Sequence, residues 1–299
     1  MTQNFTFRCF MVGVSMVATA FSHAVSDQSC QVVDGTIVCA TAQPNVPQAS
    51  DEQRGLVVYS EVDSRNGATM GFGGQGYVDG ASELLATVRE RSGAKATRKV
   101  HMRFLEREGD ADRRLMVIES PNDEQGVALL TISSPDGKDD QWTFHPDTKQ
   151  VKRVRRNSTA TPFLGLDITF EDLSLQNIDR YAYRFLRATQ FRDRHAFVIE
   201  RTPNYPHSGY SRLVTWVDQE HYYPLRTDYY ARDGELIKTL ELFDYERHSD
   251  RFWRAGRMEL VHHASGRQTT LLWRNYRFDL GLSAADFDIN GLQRPRALR

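Results

Sequence analysis

Apolar residues recur at every second position in short runs along most of this chain, with turn-forming residues between the runs. Leu115-Met116-Val117-Ile118, then Gly126 to Ile132, then Gln141 to His145 are broken by Pro-Asn-Asp and by Pro-Asp-Gly-Lys-Asp-Asp. Ala196 to Arg201, Ser211 to Asp218, Leu225 to Ala231, Ile237 to Tyr245, Arg257 to His263 and Thr269 to Phe278 follow at the spacing of an up-and-down antiparallel sheet. Asp233-Gly234 and Ser265-Gly266 are the hairpin turns. Asp51 to Val62 predicts a helix, with acids in its first turn and Leu56, Val57 and Tyr59 apolar. Ser82 to Glu90 fits either period: Leu84, Leu85 and Val88 suit a helix, while Leu84, Ala86 and Val88 suit a strand. Tyr181 to Thr189 is likewise a strand or a helical turn. Ser283 to Leu292 reads as a terminal helical turn whose Phe287 docks inward.

The stretch from Gln141 to Leu173 organises the rest. Trp142 and Phe144 stand two apart and share a strand face, Pro146-Asp147 turns the chain, and Val151 and Val154 sit among five basic residues from Lys149 to Arg156. The result is a hairpin with one apolar and one charged side. Phe163, Leu164, Leu166, Ile168 and Phe170 follow, too apolar for an exposed linker, so this loop is expected to act as a lid or plug. The basic run reads as a solvated outer strand face, with anionic headgroups or an acidic partner surface as the alternative. Glu171-Asp172 reads as the acidic start of a helical turn; the alternative is a pair with a basic residue that pins the loop.

Nine pieces stand in one order along the chain: MVIESPNDEQGVALLTI, DDQWTFHP, VKRVRR, PFLGLDITFEDL, YSRLVTWVD, YYPLRTDYYARDGELIKTLEL, FWRAGRMELV, TTLLWRNYRF and FDINGLQR. Together they resemble the bacterial periplasmic proteins called outer membrane lipoprotein-sorting proteins, related in fold to the lipoprotein carrier LolA, over residues 51 to 299. The resemblance implies a mainly β (α+β) fold, a large curved antiparallel sheet forming a half-open barrel covered by a helix and a lid loop, as in LolA and LolB. It places a hairpin across RERSGAKATRKVHMRFLE, which makes Glu83 to Arg91 a strand that turns at Ser92-Gly93 into Ala96 to Glu106. It also implies a pump of the resistance-nodulation-division type in the inner membrane and an acceptor at the outer membrane as partners.

Residues 1–24 show the pattern of a secretory signal peptide: Arg8, an apolar run from Cys9 to Phe21, and small residues that predict cleavage near Ala20 or Ala24. No lipobox is present, so the mature chain is expected in the periplasm without a lipid anchor. Residues 25–50 hold Cys30 and Cys39 in CQVVDGTIVC, where Asp34-Gly35 is a type I′ hairpin signal that brings the sulfurs opposite each other, followed by a linker from Thr41 to Ser50. An exported chain with two cysteines implies a disulfide. Residues 51–299 form the large domain. Removing the leader takes away Arg8 alone, so 38 basic residues become 37 against 39 acidic, a near-neutral chain that is no general nucleic-acid binder. The apolar fraction of 40% suffices for one large β core.

A half-open barrel with a cover encloses an apolar space, and such a space suits a lipid or lipoprotein acyl chain. Candidate lining residues are Trp142, Phe144, Phe163, Leu166, Phe170, Trp216, Tyr229, Leu240, Leu242 and Trp273, each equally readable as plain core. Period alone does not say which sheet face looks inward. Chemistry for catalysis is sparse. There is no G-x-S-x-G elbow around Ser208-Gly209 beside His207, and His262-His263 point to opposite strand faces. Glu200, Asp218 and His195 would have to converge across strands. The expectation is a carrier without catalytic residue, metal ion or cofactor, the alternatives being an enzyme acting on lipid or envelope material in the same space, or a ligand-free structural protein.

Overall fold

The computed structural model describes residues 29–33, 36–40, 49–66, 79–106, 111–133, 139–174, 178–248 and 252–293. The expected leader and most of the expected linker lie outside them. The chain divides into two compact units, residues 1–49 and 50–299. In the first, β1 (Ser29–Val33) and β2 (Thr36–Ala40) pair antiparallel, with Cys30 directly opposite Cys39. Opposed Cα atoms in such a ladder lie about 4.5–5.5 Å apart, inside the span of a disulfide.

In the second unit, α1 (Asp51–Asn66) precedes a meander of β3 (Asp79–Arg89), β4 (Lys95–Leu105), β5 (Asp112–Ser120), β6 (Ala128–Ser133), β7 (Asp139–His145) and β8 (Gln150–Arg153). A second meander runs through β9 (Tyr181–Phe191), β10 (Arg194–Pro203), β11 (Tyr210–Asp218), β12 (Pro224–Ala231), β13 (Leu236–His248), β14 (Phe252–His262) and β15 (Arg267–Phe278). The two join where β15 pairs with β3, giving one antiparallel sheet of 13 strands in the order β8-β7-β6-β5-β4-β3-β15-β14-β13-β12-β11-β10-β9. The sheet is not closed into a barrel. Both segments of ambiguous period lie in strands, the first in β3, which ends at Arg89, and the second in β9: each finds a partner on a sheet edge or seam, and a paired ladder overrides weak helical spacing.

This strand order dictates the rest of the molecule. β8 and β9 are consecutive strands in sequence yet stand at opposite edges, and the described residues 154–174 between them lie over the sheet. They cross on one face, which we call inner, and Phe163, Leu166, Ile168 and Leu173 are buried there. Side-chain parity carries that face from strand to strand: Val100 opposes Leu84 and Ile118, Trp273 opposes Leu84, Leu260 opposes Leu240, and all six belong to one apolar cluster.

Helix α1 covers the same face at the β9 end. Its buried stripe is Gly55, Val58, Tyr59 and Val62, the spacing of one helix face, while Leu56 and Val57 are exposed. Of the apolar residues read from the sequence there, only Tyr59 points in. Gly55 is the reason the helix lies so close: a Cβ at this position would stand 2.8 Å from the Arg184 and Phe185 backbone nitrogens.

The outer face has its own small cores. The tail turns at residues 284–287 and 290–293, and Phe287 and Leu292 pack on Leu105, Leu115, Ala128, Leu130 and Phe144. Phe287 is thus buried, but against the outer face. The exposed edge strand β8 presents Lys152 and Arg153, charges that discourage pairing with another chain.

Candidate functional site

The crossing loop is folded on itself before it is folded on the sheet. Phe163 N–H donates to Ile168 O at 2.8 Å and Phe170 N–H to Thr161 O at 3.2 Å, closing a narrow hairpin whose tip holds Leu164 and Gly165 at positive φ. Phe163 and Phe170 meet edge to face at 5.4 Å between ring centroids. Burying an apolar side chain stabilises by roughly 1.5–3 kcal/mol, whereas each ordered residue loses about 1–2 kcal/mol of backbone entropy. Four buried apolar side chains therefore do not hold a loop of this length by themselves, and polar contacts complete the work.

Those contacts come from both halves of the sheet. Asp172, buried at 2% exposure, forms an ion pair with Lys238 of β13, also 2% exposed. The same carboxylate accepts from the Tyr210 hydroxyl at 2.8 Å and from the Thr169 N–H and hydroxyl at 2.7 and 2.9 Å. Glu171 accepts from Tyr205 and Ser208 hydroxyls, both at 2.5 Å, and from Gly209 N–H at 2.8 Å. Asp167 accepts from the Thr269 hydroxyl at 3.2 Å and lies 3.4 Å from the Arg267 guanidinium. Backbone carbonyls add to this: Asp167 O accepts from Lys238 Nζ at 3.3 Å, Phe170 O from Gln141 at 3.0 Å, Leu173 O from Arg114 at 3.2 Å, and Gly165 O from Arg267. Glu171 and Asp172 thus pin the loop, because buried donors reach them from β11, β13 and the β10–β11 connection, and they also stand in a helical turn: Leu173 N–H donates to Thr169 O at 3.1 Å, and Thr169 and Asp172 exchange side-chain-to-backbone bonds at its start.

Burial sets the character of these groups. It pushes the Tyr210 hydroxyl well above its ordinary pKa, and the neighbouring Asp172 carboxylate adds to the effect, so Tyr210 remains a donor. Burial, then Tyr181 and Glu171, raise Tyr205 in the same way. The buried Arg114 guanidinium is pulled down to about 10 by desolvation, against the pull of Glu106, Asp139 and Asp112.

The ten residues proposed to line an apolar space separate into three places. Phe163, Leu166, Tyr229, Leu240, Leu242 and Trp273 share the inner-face cluster, and Phe170 packs against it. Trp142 and Phe144 do share a strand face, but it is the outer one, under Phe287 and Leu292. They pair with Leu130 and Ala128, whose neighbour Leu129 is the inward residue. Trp216 is also on the outer face, against Phe191 and Arg226. The polar pins Lys238, Arg267, Tyr205, Ser208 and Tyr210 were missed. One of them had a signal: Lys238 is in phase with Leu240 and Leu242, a lone charge on an otherwise apolar strand face.

The catalytic candidates do not converge. Glu200 is held by Arg184 at 2.7 Å and Arg212 at 3.6 Å, and Asp218 by Arg194 at 3.2 Å and the N–H groups of Glu220 and His221. His263 Nε2 meets the Thr239 hydroxyl at 2.9 Å, and His262 Nδ1 the Ser265 hydroxyl at 3.2 Å. Among the described residues, no group of three or more His, Cys, Asp or Glu side chains is placed to hold a metal ion.

A solved outer membrane lipoprotein-sorting protein domain from Vibrio parahaemolyticus is 34% identical to this chain, with a TM-score of 0.76, over 81% of this chain and 100% of its own. The chain belongs to the outer membrane lipoprotein-sorting protein family. A DUF1329 family protein from Desulfovibrio piger is 26% identical over 82% of this chain and 100% of its own, with a TM-score of 0.72. A LolA superfamily protein from Nitrosomonas europaea, 19% identical with a TM-score of 0.61 over 80% and 98% of the two chains, shares the fold. A family model described only as an uncharacterized protein matches residues 110–294, and no curated protein matches. In this member of the lipoprotein-sorting family, the matched region contains the whole crossing loop and all of its pins.

Proposed function

We propose that the protein is a periplasmic carrier that takes a lipid or lipoprotein acyl chain onto the inner face of its sheet and passes it between envelope components. The carrying observation is the loop: an apolar segment laid over an apolar face and held by discrete polar pins, not by a continuous ladder. Lifting it would break discrete polar contacts and part Phe163, Leu166 and Ile168 from the apolar cluster that also holds Tyr229, Leu240, Leu242 and Trp273. Each methylene buried there contributes about 0.8 kcal/mol, enough for capture and weak enough for release.

Membership of the lipoprotein-sorting family supports this reading, as does the sheet shared with a LolA superfamily protein. In the same proposal the chain is exported by a signal peptide cleaved near Ala20 or Ala24, Cys30 and Cys39 form a disulfide, a resistance-nodulation-division transporter is the donor, and the acceptor lies at the outer membrane. The role is transport, not catalysis.

Native mass spectrometry of the protein taken from its own periplasm, followed by denaturing extraction, tests the carrier. A lipid or acylated species at near one per chain is the expected result. Empty protein that also takes up no fluorescent fatty acid would sink it.

A further inference from the structure

The inner face is not uniformly apolar, and its polarity has a direction. At one end of β13, β14 and β15, Lys238, His262 and Arg267 lie in one row across the ladder, and Thr269 follows two residues along from Arg267. Two and four residues along the same faces come Leu240 and Leu242, Leu260 and Met258, Leu271 and Trp273, all buried. A cationic, hydroxyl-bearing head region thus leads into an apolar track, which runs roughly 14 Å from Lys238 to Leu242 at about 3.4 Å per residue.

The head region is occupied by the protein's own loop. Asp172 lies on Lys238, and Asp167 lies on Arg267 and Thr269. Among the described residues, the Lys238 ammonium meets, besides Asp172, the Asp167 carbonyl and the rings of Tyr210 and Tyr229 at 5.1 and 4.6 Å. Raising the loop to admit an uncharged chain would strand that ammonium beneath apolar surface, which is strongly unfavourable. A chain that ends in an anion would replace the carboxylate it displaces.

We propose that the cargo is an anionic amphiphile, a hydrocarbon chain ending in a carboxylate or a phosphate, and that its headgroup takes the place of Asp172 and Asp167 at Lys238 and Arg267. This rests on the carrier reading and narrows it. The loop acts as an internal competitor whose acids mimic the headgroup and whose Phe163, Leu166 and Ile168 mimic the chain.

The test uses lipid-free full-length protein and three probes with one chain and one fluorophore: dansylamino-undecanoic acid, its methyl ester, and the phosphate monoester of the corresponding alcohol. In the wild type the acid, the monoester or both bind at least about tenfold tighter than the methyl ester, a gap of about 1.4 kcal/mol. The tighter of the two anions identifies the headgroup, and inorganic phosphate alone does not displace either. Lys238→Met brings the anion-to-ester ratio close to one. Asp172→Asn keeps the shape of the loop, weakens its hold on Lys238, and so tightens the anionic probe severalfold. A pair that served folding only would move both variants in the same direction, and that result would overturn the proposal even if Lys238→Met did not fold. Equal binding of acid, monoester and ester overturns it while leaving the carrier intact. No binding by any probe removes the carrier reading and this one with it.

Discussion

Lys238 and Asp172 are bound to each other but are not equally dependent on each other. Asp172 keeps three other donors, from Tyr210 and from the Thr169 N–H and hydroxyl, whereas Lys238 keeps one carbonyl and two aromatic faces. Asp172→Ala is therefore expected to lower stability by about 3–5 kcal/mol, the cost of leaving a buried charge without its counterion. Lys238→Met is expected to lose less, on the order of 1–3 kcal/mol. Urea unfolding of the two variants checks the order, and a larger loss for Lys238→Met would contradict it. The tyrosines beside the pins set an alkaline limit. Tyr181, whose hydroxyl lies 3.2 Å from that of Tyr205, is pushed up to about 12 by burial. Its folded value lies above the unfolded value of about 10, so the folded state holds the proton more tightly. That stabilising contribution is complete below pH about 10 and is lost as pH rises through about 12. Tyr205, Tyr210 and Tyr229 are raised too and act with the same sign. The urea midpoint should fall across this window together with the appearance of tyrosinate absorbance, and Tyr181→Phe should flatten the slope.

At the scale of elements, α1 and the crossing loop cover one face by different physics. The helix is seated by shape. Gly55→Ala would favour the isolated helix by about 1 kcal/mol, but the added methyl meets the β9 backbone at Arg184 and Phe185. A net loss of about 1–3 kcal/mol is expected because backbone in a paired strand cannot yield; a stabilised protein would show that the helix shifts freely. The loop is seated by its pins and a few apolar anchors, and Leu166 is the test of its independence. Leu166→Asp places a charge in the apolar cluster and should release the loop, seen as rapid proteolysis within residues 155–174 with the β circular-dichroism signal retained. Loss of that signal would mean the loop is an integral part of the core. The loop's excess of apolar residues was legible in the sequence, since no exposed connection needs five of them in eight positions from Phe163 to Phe170. Its pins were not, because Asp172 and Lys238 are 66 residues apart and no local spacing relates them.

For the molecule as a whole, the seam between the two meanders decides cooperativity. Leu84 of β3 and Trp273 of β15 oppose each other there, and each meander alone would expose one edge of the seam. Trp273→Ala should lower stability by about 3–5 kcal/mol and shift one unfolding transition of residues 50–299, not split it in two; two separate transitions would mean the meanders fold alone. What the sequence by itself determined is local and periodic. Alternation every two residues marked the strands, Asp-Gly and Ser-Gly marked turns, and the apolar excess after Arg156 marked a cover. Only the tertiary structure decided which of two equivalent faces was covered. A period of two labels the faces identically, so Trp142 and Phe144 could be grouped correctly and still face away from the loop. The decision was made by long-range packing: pairing across the seam put β8 and β9 at opposite edges, and the apolar residues between them were buried on one face. Once it lay there, its carboxylates met the cations of strands far away in sequence, because a charge buried by long-range packing has to find its partner in space.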